Sequence, residues 1–187
     1  MRVFHSFENL PVFKNPVVTV GSFDGVHRGH AQILAQLAAS AARLNGESVL
    51  LTFNPHPQTV LHPERPFTPI NSFERNLQLL EDNGVANAIV INFTKEFANI
   101  TYDYFLKEIL IGKIGAKAIV MGPNHNFGKA GEGNIEKSSV IAEQCGVSIE
   151  TIPEFLLADS KVRSSQIRKL IAAGDIAQAE ELLGHKL

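Results

Sequence analysis

Cysteine is almost absent from this sequence, and its scarcity excludes two kinds of stabilising chemistry. The 187 residues include one cysteine, Cys145, which can form no intramolecular disulfide and cannot build a cysteine-based metal cluster. A lone thiol is compatible with a reducing cytoplasm. We expect Cys145 to serve as a packing residue.

A strong charge of either sign and long apolar runs are also missing. The 17 Lys+Arg and 19 Asp+Glu leave a net charge of −2, so there is no global basic field to attract nucleic acid or an anionic membrane. No apolar run approaches the ~18 residues of a membrane span, and residues 1–13 lack the basic start and apolar core of a secretion signal. We therefore expect a soluble, cytoplasmic protein without nucleic-acid or membrane partners.

The length suits one α/β domain, in which short apolar segments alternate with amphipathic ones. Strands are predicted at Val17–Gly21, Ser48–Phe53, Asn87–Ile91, Ala118–Met121 and Ser148–Ile152, and a further short strand at Arg2–His5 is left open. Helices are predicted at His30–Leu44, Phe73–Asn83, Tyr102–Ile111 and Ile135–Gln144, and in the tail at Gln166–Ala173 and Ile176–Leu183, with Asp175 as the N-cap of the last. The alternation predicts an α/β fold: a doubly wound, Rossmann-like parallel sheet of about five strands flanked by helices, with C-terminal helices. In such sheets the loops after the strands form the ligand site.

The strongest chemical signal lies between the first of these strands and its helix, in residues 21–30, GSFDGVHRGH. A glycine-rich loop that enters a helix presents backbone amides and the positive end of the helix dipole to an anion, for which phosphate is the natural ligand. If the helix begins near Arg28, His27 and His30 lie about one turn apart and can donate hydrogen bonds to the same phosphate. The spacing fits neither GxGxxG nor GxxxxGK[ST]. The simpler alternative is a surface turn with a helix-capping histidine.

Three later loops carry further polar groups. Residues 52–57, TFNPHP, contain two prolines that stiffen the loop and project Asn54 and His56, although a rigid connector would look the same. Residues 122–134, GPNHNFGKAGEGN, are glycine-rich, as in loops that close over a substrate or in a plain surface loop. Residues 161–169, KVRSSQIRK, place two cations before a helix N-terminus, whose dipole disfavours them; an anion between Lys161 and Arg163 would resolve the conflict.

Together these motifs resemble a known family. GSFDGVHRGH resembles the signature of the HxGH nucleotidylyltransferases, and its FDGVHxGH form is similar to the adenylyltransferase domain of bacterial bifunctional riboflavin kinase/FAD synthetases. TFNPHP resembles the family's TFxPHP, GPNHNFG its GxNFxFG, and KVRSSQIR its RxxSSTxxR-like motif, over a span from about Val17 to Leu183. The departures are His125 for Phe, Lys161 for Arg, Arg163 for Ser and Ser165 for Thr.

The resemblance implies transfer of AMP from ATP to FMN, giving FAD and pyrophosphate, with Mg²⁺ accompanying ATP and no metal ligand expected from the protein. The implied catalytic residues are His27, His30, Ser164 and Arg168. The implied ATP-binding residues are Gly21, Ser22, Phe23, Asp24, Gly25, Gly29, Lys161 and Ser165. The implied FMN-binding residues are Asn54, Pro55, His56, Asn124 and Phe127.

Bifunctional members of this family continue into a riboflavin kinase module. We expect a single nucleotidylyltransferase domain over residues 1–187 without that module: either the kinase module was removed, or the chain is a stand-alone transferase. We expect a riboflavin kinase domain or protein to be the partner that supplies FMN. Two alternatives stay open. His125 leaves room for another phosphomonoester acceptor, such as phosphopantetheine, nicotinamide mononucleotide or a glycerol-type phosphate. The departures at 125, 161 and 163 leave room for a flavin- or nucleotide-binding module with weak or lost catalysis.

Overall fold

A computed structural model describes residues 1–123, 125–157 and 160–187, and within them one sheet holds six parallel strands in the order β1-β4-β3-β2-β5-β6. The strands are β1 (Arg2–Phe4), β2 (Val17–Val20), β3 (Ser48–Phe53), β4 (Asn87–Ile91), β5 (Ala118–Met121) and β6 (Ser148–Thr151). The five predicted strands are confirmed. The segment left open is also a strand, because β1 pairs in parallel with β4 at the edge of the sheet.

Helices cover the sheet and form the C-terminal tail. They are α1 (Arg28–Arg43), α2 (Pro57–Leu61), α3 (Phe73–Asp82), α4 (Lys95–Ala98), α5 (Tyr102–Tyr104), α6 (Ile135–Gln144), α7 (Ser164–Ala172) and α8 (Ile176–Leu183). The predicted α1, α3, α6, α7 and α8 are confirmed, and Asp175 caps α8 by accepting from the amide of Gln178. The short α2, α4 and the hairpin β7 (Leu156–Leu157) to β8 (Ser160–Lys161) were not predicted, because elements of one turn or two residues leave no periodic pattern. Within the described residues no helix is both long and apolar enough to cross a bilayer.

The helix predicted over Tyr102–Ile111 differs from expectation. After α5 it continues as a π-helix, Phe105–Lys113. The amide of Ile114 then bonds the carbonyl of Ile109, five residues back, at 3.1 Å. This wider turn keeps Ile109 and Ile114 together in the buried core, which a search for the 3.6-residue period cannot reveal.

Both faces of the sheet are buried, as the doubly wound prediction requires. Neighbouring residues of a strand point to opposite faces, so Val17 packs in the cluster that contains residues of α1 and α3, while Val18 packs with the π-helix and α6. Both side chains are fully buried. Because both faces of the central strands are buried, most residues of these strands are apolar, and the strands can be recognised in the sequence as apolar runs.

The prediction for the lone thiol is wrong. Cys145 is exposed and forms the C-cap position of α6. The position at the end of α6 exposes the side chain, which the residue type alone does not indicate.

The strand order places a switch point at β2. From β2 the chain proceeds to β3 and β4 on one side, then returns to β5 on the other side of β2. The carboxyl ends of β2 and β5 therefore diverge into loops that leave a crevice between them. This edge of the sheet is where the candidate site must lie.

Asp24, just beyond β2, joins three separate segments. Its side chain is buried; it accepts a hydrogen bond from the amide of Ile70 at 2.9 Å and forms an ion pair with Arg168 of α7. Its backbone carbonyl accepts from the hydroxyl of Ser164 at 3.0 Å. Burial raises the pKa of Asp24, although the Ile70 amide and Arg168 oppose the rise. The bonds that hold α7 against the loop therefore offset part of the cost of burying a carboxylate.

Removing this charge tests its structural role. We expect Asp24→Asn to lower the free energy of unfolding by about 3 kcal/mol, because the part-buried Arg168 is left without its counter-ion. Urea denaturation at pH 7 measures the loss. Glu64→Gln, which removes an exposed ion pair with Arg65, is the matched control and should cost less than about 1 kcal/mol. Equal losses in the two variants would contradict the role assigned to Asp24.

Candidate active site

A cleft of about 530 Å³ opens at the switch point. We call it the histidine cleft, because His27 and His30 form part of its wall. Its other walls come from the loops after β2, β5 and β6 and from the start of α7. The strands thus bring together loops that are far apart in the sequence, at the edge where the strand pattern predicted a site.

The two histidines lie at the first turn of α1, which begins at Arg28. His27 is the N-cap: its Nδ1 accepts from the backbone amide of His30 at 3.2 Å, so the ring proton of the neutral form lies on Nε2. The rings stack with centroids 3.6 Å apart and an angle of 12° between their planes. The side chain of His27 therefore caps the helix and also lines the cleft.

Burial keeps these rings uncharged. It lowers the pKa of His27 to about 4. It also lowers the pKa of His30 well below its ordinary value, and the neighbouring His27 and His125 lower it further. Within the described residues, the buried Nδ1 of His30 has no hydrogen-bond partner. The cleft therefore offers neutral hydrogen-bond donors and a helix N-terminus to an anion. A ligand that hydrogen-bonds Nδ1 of His30 would also satisfy this buried nitrogen.

The glycine-rich loop is packed tightly beneath the histidines. A Cβ at Gly29 would lie 3.2 Å from the ring of His27, so a side chain there would press on the histidine. Gly25 has a φ of +82°, and a Cβ would meet Ile70 at 2.8 Å. Gly21, Ser22 and Phe23 line the cleft, whereas Asp24 and Gly25 point away from it into the contacts that hold the loop.

The predicted cationic segment already has an anion. Glu154, after β6, lies 2.5 Å from Nζ of Lys161 and 3.6 Å from a guanidinium nitrogen of Arg163. Its carboxylate is the negative charge that the sequence required near the N-terminus of α7. Sequence reasoning missed Glu154, and its only signal is its position just beyond the last strand of the sheet. Glu154, Arg163 and Ser164 line the cleft, while Lys161 and Ser165 are exposed beside it.

Arg168 lies outside the histidine cleft. Its guanidinium group pairs with Asp24, and its Cζ lies 4.9 Å from the ring centroid of Phe67. The ring of Phe67 in turn stacks on that of His56, with centroids 4.2 Å apart. Phe67 was not predicted, because nothing in its local sequence links it to these partners.

Asn54, Pro55 and His56 line a separate space of about 220 Å³, the proline pocket, together with Asp24 and Phe67. His56 caps α2, with Nδ1 accepting from the amide of Gln58 at 3.1 Å. Burial, and then Arg168, lower the pKa of His56 to about 4. These three predicted residues are therefore not in the histidine cleft, although Ser22 borders both spaces.

Phe127 lines a third space of about 430 Å³, the aromatic pocket. Its walls include four further rings, in Phe53, Phe93, Phe97 and Phe105, with neighbouring centroids 5.2–6.0 Å apart. Sequence reasoning missed these four. Phe93 lies just after β4, so the rule that loops after strands form the site could have found it. Asn124, the remaining predicted residue, lies outside the described residues.

The histidine cleft and the aromatic pocket meet. They share Val20, Gly21, Ser22 and His125, at the carboxyl end of β2 and in the loop after β5. One side of this junction offers hydrogen-bond donors to an anion, and the other offers flat apolar walls. In the described part of the chain, no group of three or more His, Cys, Asp or Glu residues is placed to hold a metal ion.

The depressed pKa of His27 makes stability depend on pH. Because the folded-state pKa of about 4 lies below the ordinary value of 6.5, the unfolded chain binds the proton more readily, and stability falls as the pH drops from 6.5 towards 4. Asn is a good N-cap that does not titrate. We expect the loss of unfolding free energy between pH 7 and pH 5 to be about 2 kcal/mol smaller in His27→Asn than in the wild type. Urea denaturation at both pH values measures it. His5→Asn, at an exposed position, is the matched control, and a wild-type slope in His27→Asn would refute the burial argument.

Comparison with known proteins places the chain in a family. Residues 11–166 match the FAD synthetase family. The chain is 28% identical over 186 residues to the bifunctional riboflavin kinase/FMN adenylyltransferase of Buchnera aphidicola (subsp. Schizaphis graminum), covering 98% of this chain and 60% of that protein. It is 26% identical to the protein of the same description from Escherichia coli K12, covering 99% of this chain and 59% of that protein. The chain thus spans about 60% of the length of these relatives.

Solved structures share the fold. A structure described as a macrolide-efflux protein from Streptococcus pneumoniae superposes with a TM-score of 0.85 at 26% identity, covering 98% of this chain and 61% of that one. The pantothenate synthetase of Thermus thermophilus superposes with a TM-score of 0.55 at 15% identity, over 97% of this chain and 80% of that one, and shows the fold alone. With the matched region covering most of the sheet and its loops, the chain belongs to the FAD synthetase family.

Proposed function

We propose that this chain is an FMN adenylyltransferase, which transfers the AMP moiety of ATP to the phosphate of FMN and releases FAD and pyrophosphate. The observation that carries the proposal is the meeting of the histidine cleft and the aromatic pocket at Val20, Gly21 and Ser22. A triphosphate needs donors and a positive helix end, while a flavin ring needs flat apolar walls. Family membership and the descriptions of the relatives support the same pair of substrates.

The reaction needs positioning more than covalent chemistry. A phosphate oxygen of FMN attacks the α-phosphorus of ATP in line, the bond from that phosphorus to the β-phosphate bridging oxygen breaks, and pyrophosphate leaves. The attacking phosphate is already ionised, so no side chain has to act as nucleophile. The protein's task is to hold the two substrates at the junction and to stabilise negative charge on the phosphates.

His27 and His30 are the residues we assign to that stabilisation. Nε2 of His27 carries a proton that it can donate, because its Nδ1 is committed to the amide of His30. His30, stacked against it, holds a buried Nδ1 without a partner in the described chain. Neutral donors fixed at the N-terminus of α1 stabilise charge that grows on the α- and β-phosphates without reorganising during the reaction.

The remaining ATP contacts follow from the loop and from α7. Gly21, Ser22 and Gly29 allow the nucleotide to approach the backbone, and Phe23, Asp24 and Gly25 shape the turn that holds it. Ser164, Ser165, Lys161 and Arg168 are assigned to the β/γ end of ATP. In the free protein Lys161 pairs with Glu154 and Arg168 with Asp24, so each cation reaches a phosphate by leaving a carboxylate. Mg²⁺ enters with ATP as part of the substrate, held mainly by phosphate oxygens and water.

The proposed FMN site consists of the aromatic pocket and the neighbouring proline pocket. Phe127 and the rings around it are assigned to the isoalloxazine, and Asn54, Pro55, His56 and Asn124 to the polar parts of FMN. A riboflavin kinase domain or protein is the proposed source of FMN, since the relatives are described as bifunctional with riboflavin kinase. The cytoplasm is the proposed location, supported by the presence of a single cysteine and the soluble nature of both substrates.

One assay tests the function. Purified protein with ATP and Mg²⁺ is offered FMN, riboflavin, phosphopantetheine, nicotinamide mononucleotide or glycerol 3-phosphate, and pyrophosphate release and product are followed by chromatography. We expect FAD from FMN and nothing from riboflavin, which lacks the attacking phosphate. Product from a different acceptor alone, or ATP and FMN binding without turnover, would refute the assignment.

His30 provides the sharpest mutational test. We expect His30→Ala to lower kcat for FAD formation roughly 10²-fold, the scale for loss of one charge-stabilising donor. His5→Ala removes an exposed imidazole and should leave kcat unchanged. Near-wild-type turnover in His30→Ala would exclude the His30 imidazole from the reaction.

A further inference from the structure

His125 occupies the junction itself. Its ring lines both the histidine cleft and the aromatic pocket, together with Val20, Gly21 and Ser22. In the sequence His125 stands out only as a departure from the family pattern, where an aromatic ring is usual. In the structure, the imidazole forms hydrogen bonds that a phenyl ring cannot make.

Both ring nitrogens are engaged by backbone groups. Nδ1 accepts from the amide of Gly122 at 2.9 Å, so the proton of the neutral ring lies on Nε2, which donates to the carbonyl of Val20. Burial lowers the pKa of His125, while the bond to Val20 opposes that change. The ring therefore stays neutral at physiological pH and keeps both bonds, since a protonated Nδ1 could no longer accept.

These bonds connect the two strands that flank the switch point. Val20 is the last residue of β2, and Gly122 directly follows β5. A further hydrogen bond runs from the amide of His125 to the carbonyl of Gly122 at 3.1 Å. The imidazole thus ties the loop after β5 to the end of β2, where the loop 21–23 enters both substrate spaces.

Resting on the proposed function, we infer that His125 is a positioning residue that sets the distance between the two bound substrates by tethering the end of β2 to the loop after β5. Each substrate has its own binding walls, in the histidine pair and α7 for ATP and in the five phenyl rings for FMN. Loss of the tether leaves those walls in place and lets the junction between them shift. In-line displacement depends steeply on this distance, and a misplacement of about 1 Å can cost up to 10²-fold in rate.

The test compares three variants with the wild-type chain. His125→Phe fills the space with a ring that makes neither bond. His125→Gln retains an N–H donor of similar reach for the Val20 carbonyl. His5→Phe makes the same chemical change on the exposed surface. For each we would measure kcat, KM for ATP and KM for FMN in FAD formation, the melting temperature, and FMN affinity by quenching of flavin fluorescence.

We expect His125→Phe to lower kcat about 10-fold or more, while both KM values and the FMN affinity stay within about 3-fold of wild type. His125→Gln should recover part of the lost kcat, and His5→Phe should match wild type. If His125→Phe does not fold, kcat and KM in His125→Gln decide, because a partial fall in kcat with unchanged KM supports the tether and unchanged kcat refutes it.

Three results overturn the inference. Unchanged kcat in His125→Phe, with or without a lower melting temperature, shows that the bonds serve the fold alone. A rise in KM for FMN at constant kcat shows that the residue acts as a wall of the acceptor pocket. Equal kcat in the Phe and Gln variants shows that the Val20 bond is irrelevant. Absence of FAD with the wild-type chain is a different result: it refutes the proposed function and is seen before any variant is compared, so the two failures are distinguishable.

Discussion

The buried carboxylate of Asp24 is the contact on which the site depends. It binds the amide of Ile70 and the guanidinium of Arg168, and its carbonyl accepts from Ser164. One residue of the glycine-rich loop thereby holds the segment before α3 and the first two turns of α7. This contact acts together with the apolar cluster of α7 and α8 to anchor the last wall of the histidine cleft. The contacts with these segments offset part of the cost of burying the charge.

Cationic side chains near the histidine cleft are paired with carboxylates, which changes how an anion would bind. Three cations near the site, Lys161, Arg163 and Arg168, each face a carboxylate, Glu154 or Asp24. The histidines, in contrast, are neutral because burial disfavours their charged form. In the proposed function, phosphate therefore meets fixed neutral donors first, and gains the cations only in competition with Glu154 and Asp24. Such an exchange links substrate binding to the contacts that anchor α7.

Much of the fold and part of the site could be predicted. Strands buried on both faces stand out as apolar runs, and the amphipathic helices that cover them repeat with a clear period. GSFDGVHRGH placed the histidine pair correctly at a helix start, because a strand, a glycine turn and a helix are local features. The π-helix, α2, α4 and the exposure of Cys145 were missed or wrong, since they depend on how short segments meet the core. Glu154, Phe67 and the four rings of the aromatic pocket were also missed, for no local pattern connects them.

By itself the sequence determined the order of strands and helices, the family resemblance and the residue types available for phosphate chemistry. The tertiary structure decided which of these residues meet. It placed Arg168 on Asp24 and Phe67 and away from the histidine cleft, separated Asn54 and His56 from Phe127, and tied His125 between Val20 and Gly122. The histidine pair rests on hydrogen bonds and stacking within a few residues, which the chain specifies locally. The meeting of the histidine cleft and the aromatic pocket depends on the pairing of β2 with β5, whose residues are distant in the sequence and become neighbours only when the sheet forms.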